Sequence, residues 1–230
     1  MYEFYLDPEN NPLTTPSGRL EFESVDLKKH FPDDDERPPS PKWVEKSALH
    51  DEGLSSPRAK EYPLLCMSNH PRHRVHAQLD DLTWNHEIVT CKVEGPDGYL
   101  YEPLWLHPSE AAKRGIKDGD ICEVFNERGA VLVGARVWER VMPGVAYVDH
   151  GARTDYIVPG RLDRGGAINT ITPRNITSKN CAGMVVSGFL VEVAPADLEA
   201  LRRQYPEAFS KPYSRQGGPR FERILAERKN

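Results

Sequence analysis

The chain has 230 residues, 38% of them hydrophobic, with a formal net charge of -5 and a pI near 5.9, so no global electrostatic attraction to nucleic acid or to an anionic membrane is expected. A mean hydropathy of -0.62 and 20 prolines leave room for one sizeable core with extended arms. No apolar run approaches the roughly 18 residues of a membrane span, so no direct membrane insertion is expected, and the opening Met-Tyr-Glu-Phe lacks the basic-then-apolar layout of a secretory signal.

Residues 1–62 read as a proline-rich linker arm, broken by Pro8, Pro12, Pro16, Pro32, Pro38, Pro39, Pro41 and Pro57 and carrying the solvated acidic patch Asp33 to Glu36. Within it, Gly18 to Ser24 alternates apolar and polar residues after a Pro-Ser-Gly turn, the pattern of a half-buried strand. Pro63 to Met67 is a short apolar strand that stops at the polar turn Ser68-Asn69-His70-Pro71. A long connection follows, helical for a turn or two between His73 and Ile88, with a turn at Gly95 to Gly98 before a strand at Leu104 to Leu106.

Residues 104–149 carry the clearest pattern. His107 to Gly115 reads as a short helix closed by a glycine, and Lys117 to Asp120 turns into a strand at Ile121 to Phe125. Glu127-Arg128-Gly129 then forms a hairpin into Ala130 to Val137, and Met142-Pro143-Gly144 leads into Val145 to Val148. Residues 150–180 are glycine-rich and basic, 183–193 are β-rich, and Pro195 to Tyr205 is an amphipathic helix ahead of a surface tail. Short strands without long βαβ alternation indicate a mainly β fold with short helices, a barrel and not a doubly wound sheet.

Two basic islands interrupt this acidic chain. His70 to His76 contains Arg72 and Arg74 and no acid, and Arg153 to Lys179 carries five cations against Asp155 and Asp163. Such islands supply donors for phosphate, while side-chain amides suit purine edges. A zinc set of Cys66, His70, His73 and His76 competes for the first island, as does a plain solvated loop, and Asn169 also reads as a turn residue. The four cysteines, Cys66, Cys91, Cys122 and Cys181, form no CxxC pair and read as reduced thiols. Trp84, Trp105 and Trp138 read as core.

Taken in order, Thr15 to Ser24, His107 to Ala112, Gly115 to Asp120, Arg128-Gly129, Pro143-Gly144-Val145 and Asn169 to Thr172 resemble the C-terminal region of the dimethyl-sulfoxide-reductase superfamily of molybdopterin oxidoreductases. The run Asp163 to Asn169, with Ser178-Lys179-Asn180 and Gly183-Met184, is closest to the branch that contains pyrogallol–phloroglucinol transhydroxylase. The resemblance implies a double-psi β-barrel, the molybdopterin dinucleotide-binding domain, over residues 63–194, followed by a C-terminal helix and tail over 195–230. It implies bis(molybdopterin guanine dinucleotide) carrying molybdenum or tungsten as the cofactor, with the metal-coordinating residue and any 4Fe-4S ligands in earlier domains and no metal ligand or catalytic residue here. The partners it implies are the remaining domains of the catalytic subunit and an iron–sulfur electron-transfer subunit, with no turnover by this chain alone. Asn69, Arg72 and His76 then become cofactor contacts, together with His150 and Gly151 after the strand at Val145 to Val148, Asn169 and Thr172 in the family's N-x-x-T position, and Asn180. Non-redox transhydroxylase or hydratase chemistry on the same cofactor, and a barrel acting as a protein-binding module, are the alternatives.

Overall fold

In the computed structural model, residues 1–43, 45, 50–211, 213–214 and 218–219 are described. The chain divides into two compact units, Met1–Glu45 with Ile176–Gly183, and Lys46–Asn175 with Met184–Asn230.

The second unit is built on strands β1 (Leu64–Met67), β2 (Val93–Glu94), β3 (Leu100–Leu106), β4 (Ile121–Asn126), β5 (Gly129–Val137), β6 (Val145–Val148), β7 (Tyr156–Val158), β8 (Leu162–Asp163) and a final long strand, Phe189–Pro195. Two further strands, β9 (Ile176–Ser178) and β10 (Cys181–Met184), form a separate hairpin that falls, all but Met184, in the first unit, so the last strand of the main sheet is β11. Among the described residues the main sheet runs β2-β3-β6-β1-β11-β4-β5-β8-β7, and a further pairing of β3 with β5 closes six of these strands into a mixed barrel. Closure works because two strands divide an edge between neighbours. The long β5 pairs with β3 along Val133 to Val137 and with β8 at Ala130 and Val131, while β3 gives Leu100 and Tyr101 to β2 and Leu104 to Leu106 to β6.

Alternation along these strands fills the interior. Leu64 and Cys66, Leu104 and Leu106, Val131, Val133 and Ala135, Ala146 and Val148, and Phe189, Val191 and Val193 all point into one buried cluster. A second cluster forms around Tyr99, Tyr101, Ile121 and Leu132, covered by Leu198 and Ala208 from the helices Leu198–Gln204 and Pro206–Phe209. Each large side chain fully buried in this way contributes about 1.5–3 kcal/mol. The helix Pro108–Lys113 is fixed at both ends by its own sequence. His107 accepts the Ser109 N–H at its start, and at its end the Ile116 N–H reaches back to the Ala111 carbonyl.

Several expectations change. Gly18 to Ser24 forms no strand: Leu20 and Phe22 are exposed, and Ser24 instead caps the helix Val25–His30 by accepting the Leu27 N–H. Alternation alone has no force without a buried surface to face. Pro195 closes β11, and the following helix starts only after Asp197, whose carboxylate accepts the Ala200 N–H. Residues 50–62 pack into the barrel unit, where the buried Glu52 accepts from Leu190 N and Arg128 Nη1. Tyr213 of the tail stacks on Tyr99, and its hydroxyl oxygen accepts the Leu100 N–H.

Candidate functional site

Parallel pairing of β1 with β6 sends both chains out of the barrel at the same end. The exit of β1 is Ser68 to Pro71, and the exit of β6 is Asp149-His150-Gly151. The Asn69 carbonyl accepts the His150 N–H at 3.2 Å, so the two exits are joined directly.

Beside them opens a cleft of about 450 Å³ lined by Asn69, Arg72, His73, Arg74, Trp105, Trp138, Arg140, Tyr147 and Asp149 among others. Trp105, at the end of β3, and Trp138, just past β5, stand 5.4 Å apart between ring centroids. The Arg140 guanidinium lies 5.4 Å from the Trp138 ring. Neither Arg72 nor Arg140 forms an ion pair among the described residues, so the cleft holds two cations available to an anion. Tyr147 donates to Asp149 at 2.5 Å, and burial holds the Asp149 carboxyl above the usual carboxylate range.

The loop that forms one wall is anchored by a buried charge network. Arg74 donates to Asp80 at 2.8 Å and in bidentate fashion to Glu102 at 2.9 and 3.0 Å. Lys92 pairs with the same two carboxylates. Burial works against the Asp80 charge, but Lys92 and Arg74 outweigh it and keep the carboxyl ionised below its ordinary range. Arg74 also donates to the His150 carbonyl at 3.0 Å, while its buried Nε has no partner among the described residues.

The site residues expected from sequence separate into groups. Asn69 and Arg72 line the cleft. His76 and His150 meet each other, with Nδ1 of His76 3.0 Å from Nε2 of His150 and His70 against both rings. Burial, and then the neighbouring His70 and His76, push the His150 imidazole down. Gly151 adopts φ +88°, and a Cβ there would collide with the His76 carbonyl. Asn169 is exposed on the short turn Ile168–Thr170, and Thr172 donates to the Ile168 carbonyl; neither lines the cleft. In the other unit, Asn180 donates to Asp34 at 3.1 Å.

The second basic island is largely spent on structure. Arg164 is buried against Asp97 and the rings of Tyr99 and Phe209, Arg153 pairs with Asp81, and Lys179 pairs with Asp34 and Asp35. The zinc set also fails: Cys66 is sealed in the core, where burial pushes its thiol up to about 12, and the histidine that joins His70 and His76 is His150. Contrary to the core reading, Trp84 is 84% exposed and Trp105 and Trp138 line the cleft. Sequence reasoning missed Arg140, Tyr147 and Asp149 as well. The available signal was position, since each lies at or just past the end of a predicted strand.

Comparison with known proteins bears on this geometry. The family model "Molydopterin dinucleotide binding domain" matches residues 64–187. The dimethyl sulfoxide/trimethylamine N-oxide reductase of Cereibacter sphaeroides is 38% identical over 194 residues, covering 83% of this chain and 22% of that protein. The trimethylamine-N-oxide reductase of Haemophilus influenzae is 35% identical over 195 residues, again covering 83% of this chain and 22% of that protein. Among solved structures, acetylene hydratase from Pelobacter acetylenicus superposes with a TM-score of 0.53 at 19% identity, over 84% of this chain and 25% of that one, a likeness of fold. The chain thus spans about a fifth of the length of the curated relatives it matches.

Proposed function

Because this chain belongs to the molybdopterin dinucleotide-binding domain family, in the company of dimethyl sulfoxide and trimethylamine N-oxide reductases, we propose that the cleft at the exits of β1 and β6 is where it holds the cofactor. The observation that carries this reading is the conjunction of two unpaired arginines, Arg72 and Arg140, with two facing tryptophans, Trp105 and Trp138. Phosphate needs the first and a flat heterocycle suits the second. The unpartnered Nε of Arg74 and the amide of Asn69 add donors on the same wall. The residues present therefore fit molybdopterin guanine dinucleotide, and the cleft volume suits part of one such molecule.

When bound, that cofactor supplies the metal and its dithiolene ligands. This chain's residues do the holding: Arg72 and Arg140 neutralise phosphate charge, the tryptophans exclude water from a ring face, and the Arg74 network keeps the wall in place. Asn169, exposed on the turn Ile168–Thr170 and outside the cleft lining, has both a donor and an acceptor to offer a purine edge. The whole enzyme would be an oxidoreductase of the kind its relatives' names describe, in which the other domains of the catalytic subunit complete the cage and an iron–sulfur subunit delivers electrons.

In that enzyme, Arg72→Ala should lower molybdenum content per subunit, because a charge-assisted phosphate contact is worth roughly 1.5–3 kcal/mol, about one to two decades of affinity. Metal analysis of the purified variant checks this. Full molybdenum content and unchanged activity in both Arg72→Ala and Arg140→Ala would overturn the assignment.

A further inference from the structure

The unit formed by Met1–Glu45 with Ile176–Gly183 has no core of its own: none of its described residues is buried. The helices Tyr2–Leu6 and Val25–His30 cover nothing, and β10 is exposed along its length, although a lone two-stranded hairpin is marginal in water. Polar contacts hold the unit together. Asp34 pairs with Arg37, Lys179 pairs with Asp34 and Asp35, and Glu36 accepts from the Ser178 hydroxyl and the Lys179 N–H.

The same unit carries side chains of the kind that fill cores. Tyr2, Tyr5 and Leu6 recur at i, i+3 and i+4, one face of their helix, and are 74, 80 and 62% exposed. Phe22 and Trp43 are 81 and 85% exposed. Single surface hydrophobics are ordinary, but this many aromatic rings in a unit without a buried residue mark one half of an interface, whose centre such rings enrich.

We propose that this unit docks on the remainder of the catalytic subunit, with Tyr2, Tyr5, Leu6 and Phe22 seated on an apolar surface rimmed by lysines and arginines. That remainder is the one the cofactor-binding reading already requires, and the docking rests on that reading. The Cereibacter sphaeroides reductase is matched over 22% of its length, so about four fifths of such a chain lies outside the match and has surface to offer. Charge selects this occupant over others. The unit holds eleven carboxylates against six lysines and arginines, so the whole net charge of -5 resides in it. A second copy would set two such units against each other, and an anionic membrane would repel it, whereas cations around an apolar centre attract it and fix its register.

The test compares hydrogen–deuterium exchange of the 230-residue chain with that of the whole catalytic subunit, the latter both with and without its cofactor. Peptides from residues 1–24 should exchange at least about tenfold more slowly in the subunit in either cofactor state, while those from 121–137 should match in the two proteins. Loss of an anchoring aromatic at an interface weakens it about 30-fold or more, so Tyr5→Glu in the subunit should speed exchange across residues 1–24 by that factor and leave the 230-residue chain unchanged. Phe22→Glu, outside the helix, should do the same and keeps the test decisive if Tyr5→Glu does not fold. Sedimentation should show the 230-residue chain to be a monomer. Equal exchange of residues 1–24 in chain and subunit, or a dimer of the chain that Tyr5→Glu abolishes, overturns the proposal. The comparison without cofactor separates this outcome from the molybdenum content of Arg72→Ala, so docking and cofactor binding can fail independently.

Discussion

Asp163 is completely buried, with one carboxylate oxygen accepting the Ala167 N–H and the other the Asp155 N–H, each at 2.9 Å. Burial outweighs those donors and raises its carboxyl to about 6. A folded-state value above the ordinary one means the native protein holds this proton more tightly than the unfolded chain. The resulting stabilisation is complete below about pH 4 and is lost as pH rises through about 6. Asp163→Asn cannot titrate, so relative to wild type it should gain about 2 kcal/mol between pH 4.5 and pH 7, the part of the raised value's effect that falls within that window. Urea unfolding of both proteins at the two pH values checks this, and a difference independent of pH refutes it. At the same scale, legibility in the sequence was uneven. Asn69 and Arg72, named as cofactor contacts by the resemblance, line the cleft from a strand end followed by an acid-free polar turn, a pattern that is local in the sequence. Arg164 and Lys179 were misjudged because charge counting does not show that Asp97, Asp34 and Asp35 already face them.

Elements were easier to read than their partners. The strands β4, β5 and β6 follow from alternation, turn glycines and length, and the helix Pro108–Lys113 from its proline start and glycine end. What alternation omits is the connection between β1 and β2, where little periodicity remains and order comes from charge. Arg74 and Lys92 from that connection meet Asp80 and Glu102, and Glu102 belongs to β3, so the network pins the cleft wall to the barrel. Glu102→Gln would leave two buried cations facing Asp80 alone. Breaking a buried pair in this way costs about 3–5 kcal/mol. The variant should unfold at lower urea concentration than wild type and be cleaved faster by protease between residues 72 and 91. Unchanged stability would show that the network is not what orders the wall.

For the molecule as a whole, the barrel depends on parallel pairings, β1 with β6 and β3 with β5, that join segments far apart in sequence and leave no local trace. A single sequence therefore shows a barrel, through many short strands and few helices, but not which strands pair to bring the exits of β1 and β6 together beside the cleft. The two compact units also differ in how they are held. In the barrel unit, β3, β4, β5 and β11 carry fully buried side chains such as Leu104, Val124, Leu132 and Phe189. In the other unit, the helices Tyr2–Leu6 and Val25–His30 bury no residue, and Tyr5, Leu20 and Phe22 stay exposed. Opening a segment costs the apolar area it must expose, so backbone amides of residues 1–43 should exchange through local opening while those of β4 and β5 wait for unfolding of the barrel. Hydrogen–deuterium exchange of the 230-residue chain, read by mass spectrometry of peptides, should show residues 1–43 labelled well before residues 121–137. Equal protection of the two regions would mean that the N-terminal segment is held by interactions that burial does not reveal.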